Sequence, residues 1–515
     1  MRRIQQKTER RISAALRLVM VAVLLLLQIA LVVTLSLVLR QRMYLAYMVL
    51  EIAGIVCAFH IYNRPGGNTY KPGWMLLVLT VPVVGLMLYW LWNGGKMKKK
   101  LNLRFVSMPE ESRAAVQSDR RAREQLAAAM PDWSRTADYL SGQNMQLYRN
   151  TAAEYLPTGE AYLEDLIEKL DGAEHFIFME YYIVGVGSIW SRIRNILERK
   201  ARQGVEVRLL FDDFGSMMRL PQEELDRLQQ AGVDVKLFNP VHHYVNRLYF
   251  NYRDHRKITV IDGNTAYTGG ANLADEYANL VVRFGYWKDS GVRLEGEGAW
   301  GLTRQFMYMW LRNGGTLERE WDYYRPAGGC QAEGYCQPLV DGPDNNPVDT
   351  AEDTFLHMIS GARRQVWITS PYLAVDEAMI RTLCLAADSG VDVRLMMPGI
   401  PDHKIAFDVA QSYYGELLQH GVEIYQFTPG LLHAKTVMAD GEIAFVGSVN
   451  MDYRSFQLHF ECGCVLYGCP AVAQVRQDME DIMEKSRLVD YAAWEKRPWL
   501  HRAVGYLMKP FAAWM

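Results

Sequence analysis

Five chemically informative residues occur twice in this chain at one fixed offset. His255, Lys257, Asp262, Gly269 and Asn272 are matched by His433, Lys435, Asp440, Gly447 and Asn450, always 178 positions apart (433 − 255, 435 − 257, 440 − 262, 447 − 269, 450 − 272). Shorter echoes surround them: Glu174 to Tyr182 resembles Arg364 to Tyr372, Gly204 to Leu210 answers Gly390 to Met396, and Gly232 to Phe238 answers Gly421 to Phe427. Each Gly-Val-acid start follows a helix-like run that ends in glycine, the join of helix to strand in mixed α/β layers. Two copies of about 180 residues are too long and too few for a stacked solenoid. The pattern predicts a duplicated α/β domain, mixed sheets with helices on both faces, its first half over 141–335 and its second over 336–490.

Each lysine stands two residues after a histidine, so on extended backbone both side chains of a pair face the same way. Two such pairs brought together make a pocket of two imidazoles and two ammonium groups, a composition suited to a phosphodiester. A neutral histidine can attack phosphorus, the other can protonate the leaving alcohol, and lysines offset the growing negative charge. Asn272 and Asn450 can donate to the same oxygens. This chemistry requires no metal and no cofactor, and none is expected. A single His-Lys pair would ordinarily be a solvated strand end; its duplication with Asp, Gly and Asn argues otherwise.

The chain before residue 140 has a different character. Leu18 to Leu39 is interrupted only by Gln28, Thr34 and Ser36, and about 20 apolar residues span a bilayer core. A cleaved signal peptide is disfavoured by the length of this core and the lack of a small-x-small site. Met43 to Tyr62, diluted by Glu51 and His60, and Gly73 to Trp92, with Pro82 and Gly85 expected to bend it, complete a predicted anchor of two to three transmembrane α-helices over 1–95. Eight Lys/Arg on one side against seven on the other leave its orientation open. The Lys96, Lys98, Lys99 and Lys100 cluster reads equally as a headgroup-binding patch or a stop-transfer flank. Residues 96–140 read as a charged linker, with a helix over Ser112 to Met130. Trp494 to Met515 belongs to an amphipathic tail over 491–515 that suits either a membrane interface or the protein body.

Composition narrows the partners. Lys and Arg number 56 against 58 Asp and Glu, a net charge of −2, so no bulk positive field favours nucleic acid. The seven cysteines are odd in number and scattered, which suits reduced thiols better than a disulfide framework. Cys462 and Cys464 without a second ligand pair read as buried apolar residues rather than zinc ligands. No P-loop, H-E-x-x-H or G-x-S-x-G motif occurs.

The twofold His-x-Lys-x4-Asp-x6-Gly pattern with its following Asn resembles the paired signature of the phospholipase D superfamily. Asn251 to Asp262 with Tyr267 to Tyr277, and Leu432 to Lys435 with Gly447 to Phe456, Phe460 and Glu461, are similar to bacterial cardiolipin synthases. The likeness extends through Asp341 to Asp344, Ser370 to Tyr372 and the Pro82, Gly85, Tyr89 pattern, covering roughly 43–490. The first hydrophobic segment is an extra relative to the commonest layout of two.

The resemblance implies a metal-independent phosphatidyltransferase. One phosphatidylglycerol, the donor, would give its phosphatidyl group to an enzyme histidine with loss of glycerol, and a second, the acceptor, would take it to form cardiolipin. His255, Lys257, Asp262, His433, Lys435 and Asp440 would form the catalytic set, His255 as nucleophile by superfamily habit and His433 as general acid and base. The two aspartates would mainly organise the loops behind the lysines. Lys257, Asn272, Lys435 and Asn450 would hold phosphate. Glu461 would orient His433, and Asp289 is the candidate to orient His255, although Ser290-Gly291 replaces the Thr-His that more often follows it.

Arg454 and Ser455 suit headgroup binding or loop fixing equally. An 11-residue insertion before His255 carries Tyr244, Leu248, Tyr249, Phe250 and Tyr252, which could touch lipid, though packing under a loop is the more ordinary role. Anionic membrane lipids are the expected partners and the bacterial cell membrane the expected location, with the cytoplasmic side weakly favoured. A phospholipase D or phosphatidylserine synthase, a nuclease, and a scaffold that merely binds anionic lipid are the alternatives.

Overall fold

The repeated Gly-Val-acid runs become parallel neighbours in two sheets of matching order. The computed structural model describes residues 43–64, 71–93, 113–216, 218–240, 252–343 and 348–514. It divides the chain into one unit within 1–104, 239–250 and 510–515, and another of 105–238 and 251–509.

In the larger unit the first half carries β1 (Thr151–Leu156), β2 (Phe176–Tyr181), β3 (Glu206–Asp212), β4 (Asp234–Phe238), β5 (Lys257–Ile261), β6 (Thr265–Gly269), β7 (Tyr286–Lys288) and β8 (Gly291–Gly296). The second carries β9 (Tyr335–Asp341), β10 (Gln365–Thr369), β11 (Leu373–Ala374), β12 (Asp392–Pro398), β13 (Glu423–Phe427), β14 (Gly430–Leu432), β15 (Thr436–Ala439), β16 (Ile443–Gly447), β17 (Met451–Asp452), β18 (Glu461–Tyr467) and β19 (Ser486–Leu488). The first sheet runs β1-β8-β6-β5-β2-β3-β4. The second, read in the same sense, runs β9-β18-β16-β15-β10-β12-β13 with β19 added at its edge. The duplication is therefore one of topology as well as motif.

Register explains where the motif residues emerge. β2 and β3 are parallel, whereas β5 is antiparallel to β2 with Lys257 opposite Tyr181, so β5 begins where β2 ends. In the second half Thr436 opposes Thr369 in the same way. β2 is buried along its whole length, the mark of a strand covered on both faces. Helix Ser188–Arg202 packs by a stripe of Ile189, Trp190, Ile193 and Leu197. Helix Gly159–Asp171 starts at Thr158, whose hydroxyl accepts from the Ala161 N–H, and buries Tyr162, Leu163, Leu166, Ile167 and Leu170 in the same core.

Glycine is needed where these strands approach most closely. Gly269 faces Gly291 across β6 and β8, and Gly447 faces Gly463 across β16 and β18. A Cβ on Gly447 would lie 2.5 Å from the Cys462 carbonyl oxygen, and one on Gly269 2.6 Å from that of Ser290.

A helix occupies Arg113–Ala129. At the far end helix Trp499–Met508 docks on helix Lys404–Gln419, where Gly505 abuts the Asp408 carbonyl and His501 Nδ1 lies 3.0 Å from Asp408. Trp494 Nε1 donates to the Gln411 carbonyl. Trp499, Leu500 and Leu507 stay exposed.

The smaller unit has helices Met43–Asn63, Lys71–Thr80 and Pro82–Asn93, packed through Ala58, Ile61, Trp74, Val78 and Tyr89. Among the described residues no helix is long and apolar enough to cross a membrane. The described residues therefore do not support the expected anchor of two to three transmembrane helices, whose first segment lies outside them. The Gly73 to Trp92 segment is broken ahead of Pro82, whose ring cannot continue the preceding helix. Its pieces of 10 and 12 residues reach only about 15 and 18 Å, against about 30 Å of hydrocarbon. Helix Met43–Asn63 has 21 residues and includes Glu51 and His60. Leu18 to Leu39, the Lys96 to Lys100 cluster, and Tyr244, Leu248, Tyr249 and Phe250 of the insertion lie outside the described residues.

Candidate active site

Each half delivers its histidine on backbone paired to the other half. The His255 N–H donates to the Phe460 carbonyl (2.9 Å), and the Phe460 N–H to the Arg253 carbonyl (2.9 Å). On the other side β7 and β14 run parallel, and the His433 N–H donates to the Lys288 carbonyl (2.7 Å). These crossings place Glu461 beside His255 and Asp289 beside His433. The expected orienting pairs were the reverse, each carboxylate with the histidine of its own half, and the structure exchanges them.

His255 Nδ1 lies 3.0 Å from both oxygens of Glu461. His433 Nδ1 lies 2.6 Å from Asp289 Oδ2, while Asp289 Oδ1 accepts from the Ser290 N–H (2.9 Å). An ionised carboxylate only accepts, so each Nδ1 carries a proton toward its carboxylate, and Nε2 is the nitrogen left to take part in attack or proton transfer. Ser448 Oγ donates to Glu461 and fixes it in turn. Both carboxylates are fully buried, whereas the histidine side chains retain 11% and 9% of their exposure, so the imidazoles are the part of the cluster that meets an incoming group.

The lysines lie behind them. Lys257 Nζ donates to the His255 carbonyl, and Lys435 Nζ to the His433 carbonyl while standing 2.7 Å from His433 Nδ1. Burial lowers Lys257 to about 8 against the pull of Glu461, and lowers Lys435 to about 7 with Asp289 opposing and Lys257 reinforcing. His255 is pushed well below the ordinary imidazole range by burial, then by Lys257, Lys435 and His433. Burial and Lys435 also lower His433, but Asp289 counters them. For Asp289, burial raises the carboxyl, yet Lys435 and His433 outweigh it and hold it below its usual range. Charges of both halves thus act on one centre.

Of the six expected catalytic residues, Asp262 and Asp440 are not at this centre. Each follows its strand at the end away from the lysine, in left-handed backbone (φ 51° and 54°). Asp262 accepts from the N–H groups of Glu174, His175 and Phe176 at 2.7 to 2.8 Å, and Asp440 from those of Arg363, Arg364 and Gln365 at 2.7 to 2.9 Å. They tie the starts of β2 and β10 to the motif strands.

Asn272 accepts from the Ile183 N–H and donates to the Tyr277 hydroxyl (2.8 Å). Asn450 donates to Ser455 Oγ, which also accepts from the Asn450 N–H, so Ser455 fixes the loop. Arg454 Nε donates to His459 Nε2 (3.3 Å).

Aromatic neighbours went unassigned in the sequence because they are distributed along the chain. Tyr182 sets its edge against His255 at 5.1 Å, and Tyr277 and Trp287 flank His433 at 5.7 and 5.1 Å. His459 was visible only as a neighbour of Glu461. Its ring lies 5.5 Å from that of His255, and burial lowers its pKa to about 3. Among the described residues, His255, His459 and Glu461 form a cluster whose donor atoms could hold a metal ion, all within 4.8 Å of one another. All seven cysteines are free thiols.

Comparison with known proteins finds relatives over most of the chain. The family described as "Cardiolipin synthase, PLD-like domain" matches residues 166–282 and 355–483, and "Phospholipase_D-nuclease N-terminal" matches 52–93. A cardiolipin synthase of Halalkalibacterium halodurans is 34% identical over 84% of this chain and 86% of its own length. One of Geobacillus kaustophilus is 34% identical over 88% and 91%. An uncharacterized protein of Streptococcus mutans is 37% identical over 85% and 94%. The crystal structure of phosphatidylserine synthase from Haemophilus influenzae Rd KW20 shares the fold, with a TM-score of 0.55 at 16% identity over 73% of this chain and 97% of that one. With its duplicated motif, its two matching sheets and relatives aligned over most of its length, the chain belongs to the bacterial cardiolipin synthases of the phospholipase D superfamily.

Proposed function

We propose that this protein is a cardiolipin synthase that transfers a phosphatidyl group from one phosphatidylglycerol to another through a phosphohistidine. The observation that carries the reading is the crossed pair of carboxylate-held histidines with two buried lysines at one centre. His255 Nε2 attacks phosphorus, forming the P–N bond, and the P–O bond to glycerol breaks. His433, as an imidazolium, gives the leaving oxygen its proton. A second phosphatidylglycerol then enters, His433 takes the proton from its glycerol hydroxyl, and that oxygen displaces His255 to yield cardiolipin. His255 is the nucleophile in this scheme because its neighbours oppose protonation most strongly, whereas Asp289 helps His433 hold a proton.

Lys257 and Lys435 offset the charge on the phosphoryl oxygens, and Asn272 and Asn450 hold the phosphate from the loops they fasten. Tyr182, Tyr277 and Trp287 wall the imidazoles. No step in this scheme is assigned to a metal or cofactor. The protein works at the bacterial cell membrane, where its phospholipid resides. The smaller unit supports that location by exposing Val49, Val56, Phe59 and Tyr62 along helix Met43–Asn63.

The test is mass spectrometry of lipids after purified enzyme and its His255→Ala variant meet phosphatidylglycerol with EDTA present. Cardiolipin and glycerol from the wild type alone are expected. Phosphatidic acid would mean a hydrolase, and cardiolipin from both proteins would remove His255 from the mechanism.

A further inference from the structure

The two carboxylates that hold the histidines stand on backbone of very different strength. Glu461 opens β18, a seven-residue strand buried throughout and paired on both sides, with β16 and β9. Asp289 follows β7, which is three residues long and forms a two-stranded sheet with the three residues of β14. A parallel pairing of that length has little stability of its own. Yet the Lys288 carbonyl at its end accepts from the N–H groups of His433 (2.7 Å) and Ala434 (3.0 Å), and the next residue is Asp289. Side chains fasten this strand instead. Asn279 exchanges two hydrogen bonds with the Trp287 backbone (2.7 and 2.9 Å). The Lys288 ammonium lies 2.8 Å from each oxygen of Asp478, on helix Pro470–Glu484 of the second half, and also donates to the Pro157 carbonyl. The Tyr155 hydroxyl donates to Asp478 Oδ2 (2.7 Å); burial and the Asp478 charge push its pKa well up, so it stays a donor. One turn earlier on the same helix face, Gln474 accepts from the Tyr155 N–H (3.0 Å).

The Lys288 and Asp478 side chains are only 7 and 8% exposed. An ion pair this deep gives up the hydration of two charges and adds little net stability over apolar side chains of similar size, so stability alone does not account for it. We propose that Asp478 is a positioning residue for His433. Through Lys288 it fixes the short strand whose carbonyl guides the histidine backbone and whose next side chain holds the imidazole proton. The inference rests on the reading that His433 is the acid and base of the phosphatidyl transfer. Asp478 acts without touching the imidazole: a shift of β7 would move the Lys288 carbonyl and Asp289 together, and His433 would lose both guides at once. The His255 side has no need of this clamp, because Glu461 is held by strands on either side.

The experiment compares the full-length wild type with Asp478→Asn, which leaves the Lys288 charge without its counter-ion, and with a Lys288→Met, Asp478→Leu double variant, which replaces the pair by apolar side chains. The double variant should melt close to the wild type. Both should lose about 10- to 10²-fold in kcat on phosphatidylglycerol, with KM unchanged. Lys288→Arg, which keeps the charge and its donors, should retain most of the activity. Proton NMR adds a readout that does not depend on turnover. The downfield Nδ1 proton that Asp289→Asn removes should shift or vanish in both pair variants, while the one that Glu461→Gln removes stays in place. Wild-type kcat in the double variant, or an unmoved His433 proton, would overturn the proposal. So would a double variant that melts far lower and loses both Nδ1 protons, which would make the pair a support of the fold as a whole. If the wild type made no cardiolipin, the functional reading would fail, while the NMR would still decide whether Asp478 holds His433 in place.

Discussion

The two Nδ1 protons decide how the histidines divide the work. Because Glu461 holds His255 and Asp289 holds His433, Glu461→Gln should slow formation of the phosphoenzyme, whereas Asp289→Asn should slow both its formation, where His433 is the acid, and its consumption, where His433 is the base, each about 10²- to 10⁴-fold. Rapid-quench measurement of alkali-stable phosphohistidine separates these, since only the second variant slows the decay of intermediate already formed; same-half pairing would reverse the result. His433→Ala should likewise prolong whatever intermediate forms, and His255→Ala should form none. The lysines predict pH dependence. A lysine loses its charge above its pKa, so with Lys435 near 7 and Lys257 near 8, kcat/KM for anionic substrate should fall as pH rises through that window. In Lys435→Met the lower limb of this fall should vanish along with most of the activity. The sequence showed that two imidazoles and two ammonium groups belong together, because His-x-Lys recurs. It could not show which carboxylate holds which histidine, since Glu461 and Asp289 are 206 and 144 residues from the histidines they hold.

Among elements, the motif aspartates and glycines act on strands rather than on substrate. Asp440→Ala removes the acceptor for three backbone N–H groups and places alanine in left-handed backbone, and should cost about 2–4 kcal/mol of stability. Asp440→Asn, which tolerates that backbone and keeps one acceptor, should cost less. Denaturant midpoints measure both, and turnover per folded molecule should change far less than in the lysine variants. A fixed position in a repeated motif told us that these aspartates matter, not whether they meet substrate. Strand direction answered that, because β5 and β15 carry them away from the histidines. Gly447 is similar: its recurrence was legible, while its cause, a strand opposite with Gly463 in close contact, appears only once β16 and β18 are paired. Pro82 was read as a bend and proves to be a break, because the helix ahead of it ends at Thr80.

At the scale of the whole larger unit, the two halves should not unfold separately. The β7 and β14 pairing and the Asp254 to Phe460 bridge thread each half into the other's site, so calorimetry should show one transition for residues 105–238 with 251–509. Two resolved transitions would mean that the crossings add little stability. The amino-acid sequence by itself determined the duplication, the α/β order of its elements and the phosphodiester chemistry of its repeated residues, because hydrophobic period, turn glycines and motif spacing are local properties. Tertiary structure alone decided which carboxylate holds which histidine and which motif residues leave the reaction centre. Those are relations between segments far apart in the chain, and only the paired strands bring them into contact.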